Sequence, residues 1–132
     1  MRKQCRILLV EDEEQIRTVL GEAIDIEGYD VAVVGTGPEA LVRADFTDFD
    51  VLITDLSLRG GLDGWAVAER AAASGLGVIF ISGDPAQYDR LMNSGHAWLK
   101  KPFRLAELIS TLQIVLRQID AQCEPKRAAG GG

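Results

Sequence analysis

The sequence predicts an α/β fold, a doubly wound parallel sheet covered by helices on both faces. Three observations predict it. Apolar runs of three or four residues recur along the chain, and four of the five are rich in β-branched residues. They alternate strictly with segments of helical periodicity. Turn or charged residues bound every run, which fits strands buried on both faces. The order reads βαβαβαβαβα, and short connections require right-handed crossovers and a three-layer α/β/α sandwich.

Each element follows from its residues. The strands are expected at 7–10 (ILLV), 31–34 (VAVV), 51–54 (VLIT), 78–81 (VIFI) and 97–99 (AWL). The first is expected to be the central buried strand. A helix over 14–27 carries Ile16, Val19, Leu20, Ala23 and Ile26 at steps of three and four, and Gly28 ends it. Thr36, Gly37, Pro38 and Glu39 form a capping-box pattern opening a helix over 38–44. A third helix covers 65–73. Asp84 and Pro85 are an N-cap and N1 pair opening a short helix to about Asn93. The last helix has the clearest stripe: Leu105, Leu108, Ile109, Leu112, Val115, Leu116 and Ile119.

The chain has 132 residues, 47% of them apolar and 26% charged, which suits one domain with one buried core. The expected domain spans 4–121, and 122–132, ending EPKRAAGGG, reads as a disordered tail. No apolar run approaches the roughly 20 residues of a membrane helix, and the start is not a signal peptide. A net charge of −6 argues against direct nucleic-acid binding and agrees with binding a cation. Cys5 and Cys123 show no metal-ligand spacing, and the expectation is two plain cytosolic thiols, with a disulfide between them as the alternative.

Ligands of such sheets bind beyond the C-terminal strand ends. There stand Glu11, Asp12 and Glu13 after the first strand, Asp55 after the third, Ser82 after the fourth, and Lys100 and Lys101 after the fifth. Two like charges 4 Å apart repel by about 4 kcal/mol at an effective dielectric near 20. A shared proton, a lysine or a divalent cation must offset this. All-oxygen ligands suit Mg2+ or Mn2+. An aspartate, a metal, a hydroxyl and a lysine together describe phosphoryl transfer.

The segments ILLVEDE, DVLITDLSL, FIS and LKKPF, in this order, resemble the response-regulator receiver domain of two-component signalling, over roughly residues 6–120. The resemblance implies a flavodoxin-like five-stranded sheet of order 2-1-3-4-5. It implies that Asp55 is the phosphoacceptor, taking a phosphoryl group from a histidine kinase or a histidine phosphotransfer protein. Asp12, with Glu11 through water, Asp55 and the backbone carbonyl of Ser57 would hold Mg2+ or Mn2+. Ser82 would bond the phosphoryl group and act as a switch. Lys101 would pair with Asp55 and then with phosphate, its bond to Pro102 being commonly cis. Trp98 occupies the switch aromatic position. The implied protein is a cytoplasmic single-domain regulator, a monomer or weak dimer, that binds neither DNA nor membrane. It would signal through an unknown downstream protein or act as a phosphate sink. It would catalyse its own phosphotransfer and dephosphorylation without being a conventional enzyme.

Some positions depart from the pattern. Leu58 and Arg59 replace the usual Met-Pro, and Gly61 lengthens that loop. Ser82 and Lys101 lie closer than usual, so the fourth helix must be short. Bland roles are expected for Glu13 and Glu14 as a helix N-terminus, Lys100 as a solvated strand end, His96 in a turn and Trp65 in packing. Asp63 and Asp84 read as loop or cap acids, Asp84 also being placed to tune phosphate lifetime, and Asp30 and Asp50 as surface acids. A phosphohydrolase with an aspartyl nucleophile would need an acid at Ser57. A flavin or nucleotide binder would need a phosphate loop where Glu11 and Asp12 stand. A scaffold without phosphoryl chemistry would have no use for the intact acidic set.

Overall fold

The structure is a computed structural model and describes residues 3–43, 46–58 and 63–126. Its strands are β1 (Lys3–Gln4), β2 (Arg6–Val10), β3 (Asp30–Val34), β4 (Val51–Asp55), β5 (Gly77–Ser82), β6 (Ala97–Lys100) and β7 (Cys123–Glu124). The α-helices are α1 (Glu14–Ile26), α2 (Gly37–Arg43), α3 (Gly64–Ala73), α4 (Tyr88–Met92) and α5 (Leu105–Gln118). Single 3-10 turns cover Phe46–Asp48 and Pro85–Gln87.

Five parallel strands form one sheet in the order β3-β2-β4-β5-β6. This is the expected doubly wound, flavodoxin-like order, because β1 is a separate short strand. The middle position belongs to β4. The 7–10 run, expected to be central, lies beside it and is interior rather than middle.

Alternation along the strands divides the core into two layers. Ile7, Leu9, Val51, Ile53, Ile79 and Ile81 face α1 and α5, meeting Leu20, Ile24, Leu108, Leu112 and Val115. Leu8, Val10, Leu52, Val78 and Phe80 face the other way, meeting Ala40, Val67, Ala68, Ala71 and Leu91. Each fully buried Leu, Ile or Phe contributes about 2 kcal/mol.

The helix caps follow the sequence in chemistry more than in register. Thr36 Oγ1 accepts the Glu39 N–H at 3.1 Å, while the Glu39 carboxylate reaches back to the Gly35 N–H, also at 3.1 Å. Asp63 caps α3 by accepting the Ala66 N–H at 3.0 Å. Asp84 accepts the Ala86 N–H at 3.0 Å. The fourth helix is short, as the close spacing of Ser82 and Lys101 required: one 3-10 turn followed by the five residues of α4.

Several expectations need correction. Helix α1 buries Leu20, Gly21 and Ile24, whereas Val19 and Ile26 are 52% and 76% exposed. The helix is rotated because Gly21 sits against β3: a Cβ there would lie 3.1 Å from Val33 Cγ1. Asp50 is not a surface acid. It accepts the Arg6 N–H at 2.8 Å and lies 3.4 Å from Lys3 Nζ, with its side chain 10% exposed. The expected tail is partly ordered, because β7 pairs in parallel with β1 and the Lys126 N–H bonds the Gly28 carbonyl at 2.6 Å. Cys5 and Cys123 form a disulfide rather than two thiols, the fold bringing together residues 118 apart. Residues 59–62, with Arg59 and the loop glycines, lie outside the described residues, as do 127–132.

Candidate functional site

Strands β2, β4 and β5 end on the same edge of the sheet because all run parallel. That edge carries Glu11 and Asp12 after β2, Asp55 closing β4, Ser82 closing β5, and Lys101 just beyond β6. The neighbouring register sets the spacing: Asp55 pairs with Ile81, and Ser82 with Lys100.

Asp55 is held from two sides. Its Oδ1 accepts the Ser57 N–H at 2.9 Å, and its Oδ2 accepts from Lys101 Nζ at 2.5 Å. Lys101 Nζ also lies 3.8 Å from Glu11 Oε1. The Lys101–Pro102 peptide is cis, as the resemblance implied. Glu11, Asp12 and Asp55 each place a carboxylate oxygen within 4.8 Å of the others.

Burial makes this cluster costly. Glu11 is 0% exposed, Ser82 2% and Asp55 5%. Among the described residues, neither Glu11 side-chain oxygen receives a hydrogen bond. Burial first, then the adjacent Asp55 carboxylate, push the Glu11 carboxyl up to about 8, against the opposing pull of Lys101. For Lys101, burial alone would lower the ammonium. Its bond to Asp55, and the charges of Asp55 and Glu11, outweigh this and hold it above its ordinary range.

The Ser82 hydroxyl oxygen accepts the Asp84 N–H at 3.2 Å, which leaves its own hydrogen to donate. The Ser82 carbonyl accepts the Lys101 N–H at 2.9 Å, tying the serine and lysine segments together. Ser57 is exposed at the rim. Trp98 is half-buried in β6, its ring 5.2 Å from that of Tyr88 on α4. Glu13 is the N-cap of α1 and Glu14 stands in its first turn. Lys100 is exposed, with Nζ 5.5 Å from the Tyr88 ring. His96 stacks edge-on to Phe80 at 5.8 Å, away from the acids.

Some supports escaped sequence reasoning. Arg17, on the first turns of α1, donates to the Glu11 carbonyl at 2.9 Å and braces the acidic loop. Its place four residues after Glu13 is the only signal in the sequence. Gly64 starts α3 hard against the end of β4, where a Cβ would collide with the Asp55 carbonyl oxygen. Trp65 does more than pack: its indole N–H donates to Gln87 Oε1 at 3.0 Å, and Arg90 lies 4.0 Å over its ring. These contacts join α3 to the segment leading into α4.

The hard carboxylate oxygens, two of them buried and lacking a donor among the described residues, fit a divalent cation such as Mg2+. The family model described as the response regulator receiver domain matches residues 7–113. The chain is 31% identical over 116 residues to the sensory transduction protein RegX3 of Mycolicibacterium smegmatis, covering 85% of this chain and 50% of that protein. It is 33% identical over 130 residues to the transcriptional regulatory protein TcrA of Mycobacterium tuberculosis, covering 95% and 51%. The chain thus spans about half the length of the curated relatives it matches. A response regulator receiver protein from Sinorhizobium medicae superposes with a TM-score of 0.79 at 26% identity, covering 88% of this chain and 97% of that one. The Vibrio cholerae chemotaxis protein CheY4 gives 0.74 at 27%, covering 86% and 99%. With the family model spanning most of the described sheet and its helices, this chain belongs to the response regulator receiver domain family of two-component signalling.

Proposed function

We propose that this receiver domain accepts a phosphoryl group on Asp55 from a phosphohistidine in a Mg2+-dependent reaction, and that phosphorylated Asp55 changes its contacts with other proteins. The observation that carries this reading is the setting of Asp55. Its carboxylate is fixed by the Ser57 N–H and Lys101 on one strand end, and Glu11 and Asp12 stand beside it.

A carboxylate oxygen of Asp55 attacks phosphorus as the P–N bond to the donor imidazole breaks. Ser57 and Lys101 hold the nucleophile in place, so little reorganisation is needed. Lys101 stays protonated and neutralises charge gathering on the phosphoryl oxygens. Ser82, with a hydrogen left to donate, bonds one of those oxygens. Glu11, Asp12, Asp55 and the Ser57 carbonyl would hold Mg2+, which supplies charge neutralisation when bound. The net charge of −6 supports protein partners over DNA for this chain. Relay to a downstream protein and service as a phosphate sink use the same chemistry, and phosphate lifetime separates them.

Incubation with a small acyl phosphate and Mg2+ should add the mass of one phosphoryl group, and a chelator should prevent it. Uptake that persists in the chelator would refute the metal requirement. The affinity for Mg2+ should also depend on pH. With the Glu11 carboxyl at about 8, binding near neutrality displaces a proton. Affinity should therefore rise by up to about tenfold per pH unit toward pH 8 and then level off. The sign is opposite for the metal-free fold. A raised carboxyl adds stability fully below about pH 4.5, and this is lost as pH rises to about 8. Titrations with isothermal calorimetry in two buffers of different ionisation heat would count the proton.

Trp98 provides an optical check. In a Trp65→Phe background its emission should shift on adding beryllofluoride with Mg2+, because Trp98 rests on Tyr88 beside the Ser82 and Lys101 segments. Unchanged emission would remove Trp98 from the switch.

A further inference from the structure

Residues 3–5 and 123–126 meet on the edge of the sheet opposite the acidic site. Cys5 precedes β2, and Glu11 follows it. Cys5 is 1% exposed and Cys123 8%, and the disulfide joins them with Cα atoms 4.8 Å apart.

Backbone contacts also hold the C-terminal segment there. Strands β1 and β7 pair only Lys3 with Cys123 and Gln4 with Glu124. The Cys5 N–H bonds the Glu124 carbonyl at 3.1 Å, and the Lys126 N–H and the Gln4 side chain bond the Gly28 carbonyl at 2.6 and 2.8 Å. A Cβ at Gly28 would strike the Lys126 carbonyl, so the segment lies directly on bare backbone. A two-residue, two-stranded sheet is too small to persist by itself in water. The disulfide adds a covalent tie to these weak contacts.

The buried bond borders open space. A groove of about 540 Å³ opens beside it, lined by both cysteines with Tyr29, Arg117, Asp120 and Pro125. Thiol–disulfide exchange needs such access for the attacking thiolate.

We propose that Cys5 and Cys123 form a reversible redox modification site: the disulfide clamps residues 122–126 onto the sheet, and reduction by a dithiol frees them without unfolding the sheet. One thiolate of the dithiol attacks a sulfur of the pair, forming a mixed disulfide and expelling the other cysteine as a thiolate. The second reductant thiol then displaces the first cysteine. The dithiol leaves as a cyclic disulfide, and the protein gains two electrons and two protons. Both cysteines share a core layer with Ile7, Leu9, Leu112 and Val115, and the apolar burial of those four is expected to keep the layer packed after reduction. The acidic site, at the far end of β2, keeps its contacts in both forms.

Dithiothreitol on the wild-type chain tests this. Denatured protein prepared in air should take no iodoacetamide, and after reduction both cysteines should react. Amide exchange at Cys5 and Lys126 should then quicken by about tenfold or more, while amides of β4 keep their protection. Phosphoryl uptake by Asp55 should stay within about twofold, since the two sites share no residue. Cys123→Ser should reproduce the exchange pattern of the reduced form. Two reactive thiols before reduction would overturn the site. Equal exchange in both forms would overturn the clamp, and lost protection throughout β4 would show that reduction unfolds the domain instead.

Discussion

Asp55→Asn should take up no phosphoryl group under conditions in which the wild-type chain takes one, a loss limited only by detection. The substitution keeps the size and planarity of the side chain. Its amide oxygen can still accept the Ser57 N–H, which meets Asp55 Oδ1 at 2.9 Å. An amide is not a nucleophile toward phosphorus under these conditions, so the chemistry ends while the fold stays. The variant relieves the crowding of Asp55 against Glu11 and Asp12 but also removes the ion-pair partner of Lys101, so the two effects oppose and the domain should stay folded. Intact mass after incubation with acyl phosphate reads the uptake, and urea unfolding reads the stability. A labelled Asp55→Asn would mean that another acid is the acceptor.

Lys101→Met has the second large effect, and it is read in stability. Lys101 answers Asp55 at 2.5 Å and Glu11 at 3.8 Å, and both acids are buried. Removing one partner of a buried pair leaves uncompensated charge and costs about 3 kcal/mol. Methionine keeps the stem packing, so the loss reports the charge. Adding Asp55→Asn to Lys101→Met should restore most of it, which a double-mutant cycle measures directly. Mg2+ should also restore part of it. The Lys101 ammonium is held above its ordinary range. Its stabilisation is therefore complete at neutral pH and below, and is lost only as pH rises through that raised value. A Lys101→Met variant as stable as wild type at pH 7 would show that the pair contributes nothing.

The parts of this protein that are legible in its sequence share one property: they are local. A run such as ILLV followed by acids announces both a buried strand and its exit, and parallel strands then deliver every such exit to one edge. Glu11, Asp12, Asp55, Ser82 and Lys101 could thus be grouped before any contact was known. The cramped Ser82-to-Lys101 spacing likewise announced the short α4.

Features that depend on which surfaces finally meet were not legible. Val19 and Ile26 fit the apolar stripe of α1, yet close packing at Gly21 turned the helix and left them exposed. Asp50 looks like any acid ahead of a strand, but β2 brings the Arg6 N–H to it. Arg17 braces Glu11 through a carbonyl, a contact carried by no side-chain pattern. Cys5 and Cys123 have no spacing to betray them, because their pairing depends on where α5 delivers the end of the chain.

The central claim is that Asp55 alone becomes the acyl phosphate. It is tested most directly by mapping the phosphoryl group after transfer from a phosphohistidine donor. Borohydride converts an aspartyl phosphate to homoserine and so marks the residue permanently. Tryptic cleavage after Arg43 and Arg59 isolates residues 44–59, which hold Asp45, Asp48, Asp50 and Asp55. Fragmentation should place homoserine at Asp55 and nowhere else. Homoserine at Asp12 or Asp50, or an unmodified peptide alongside a phosphorylated protein, would contradict the account.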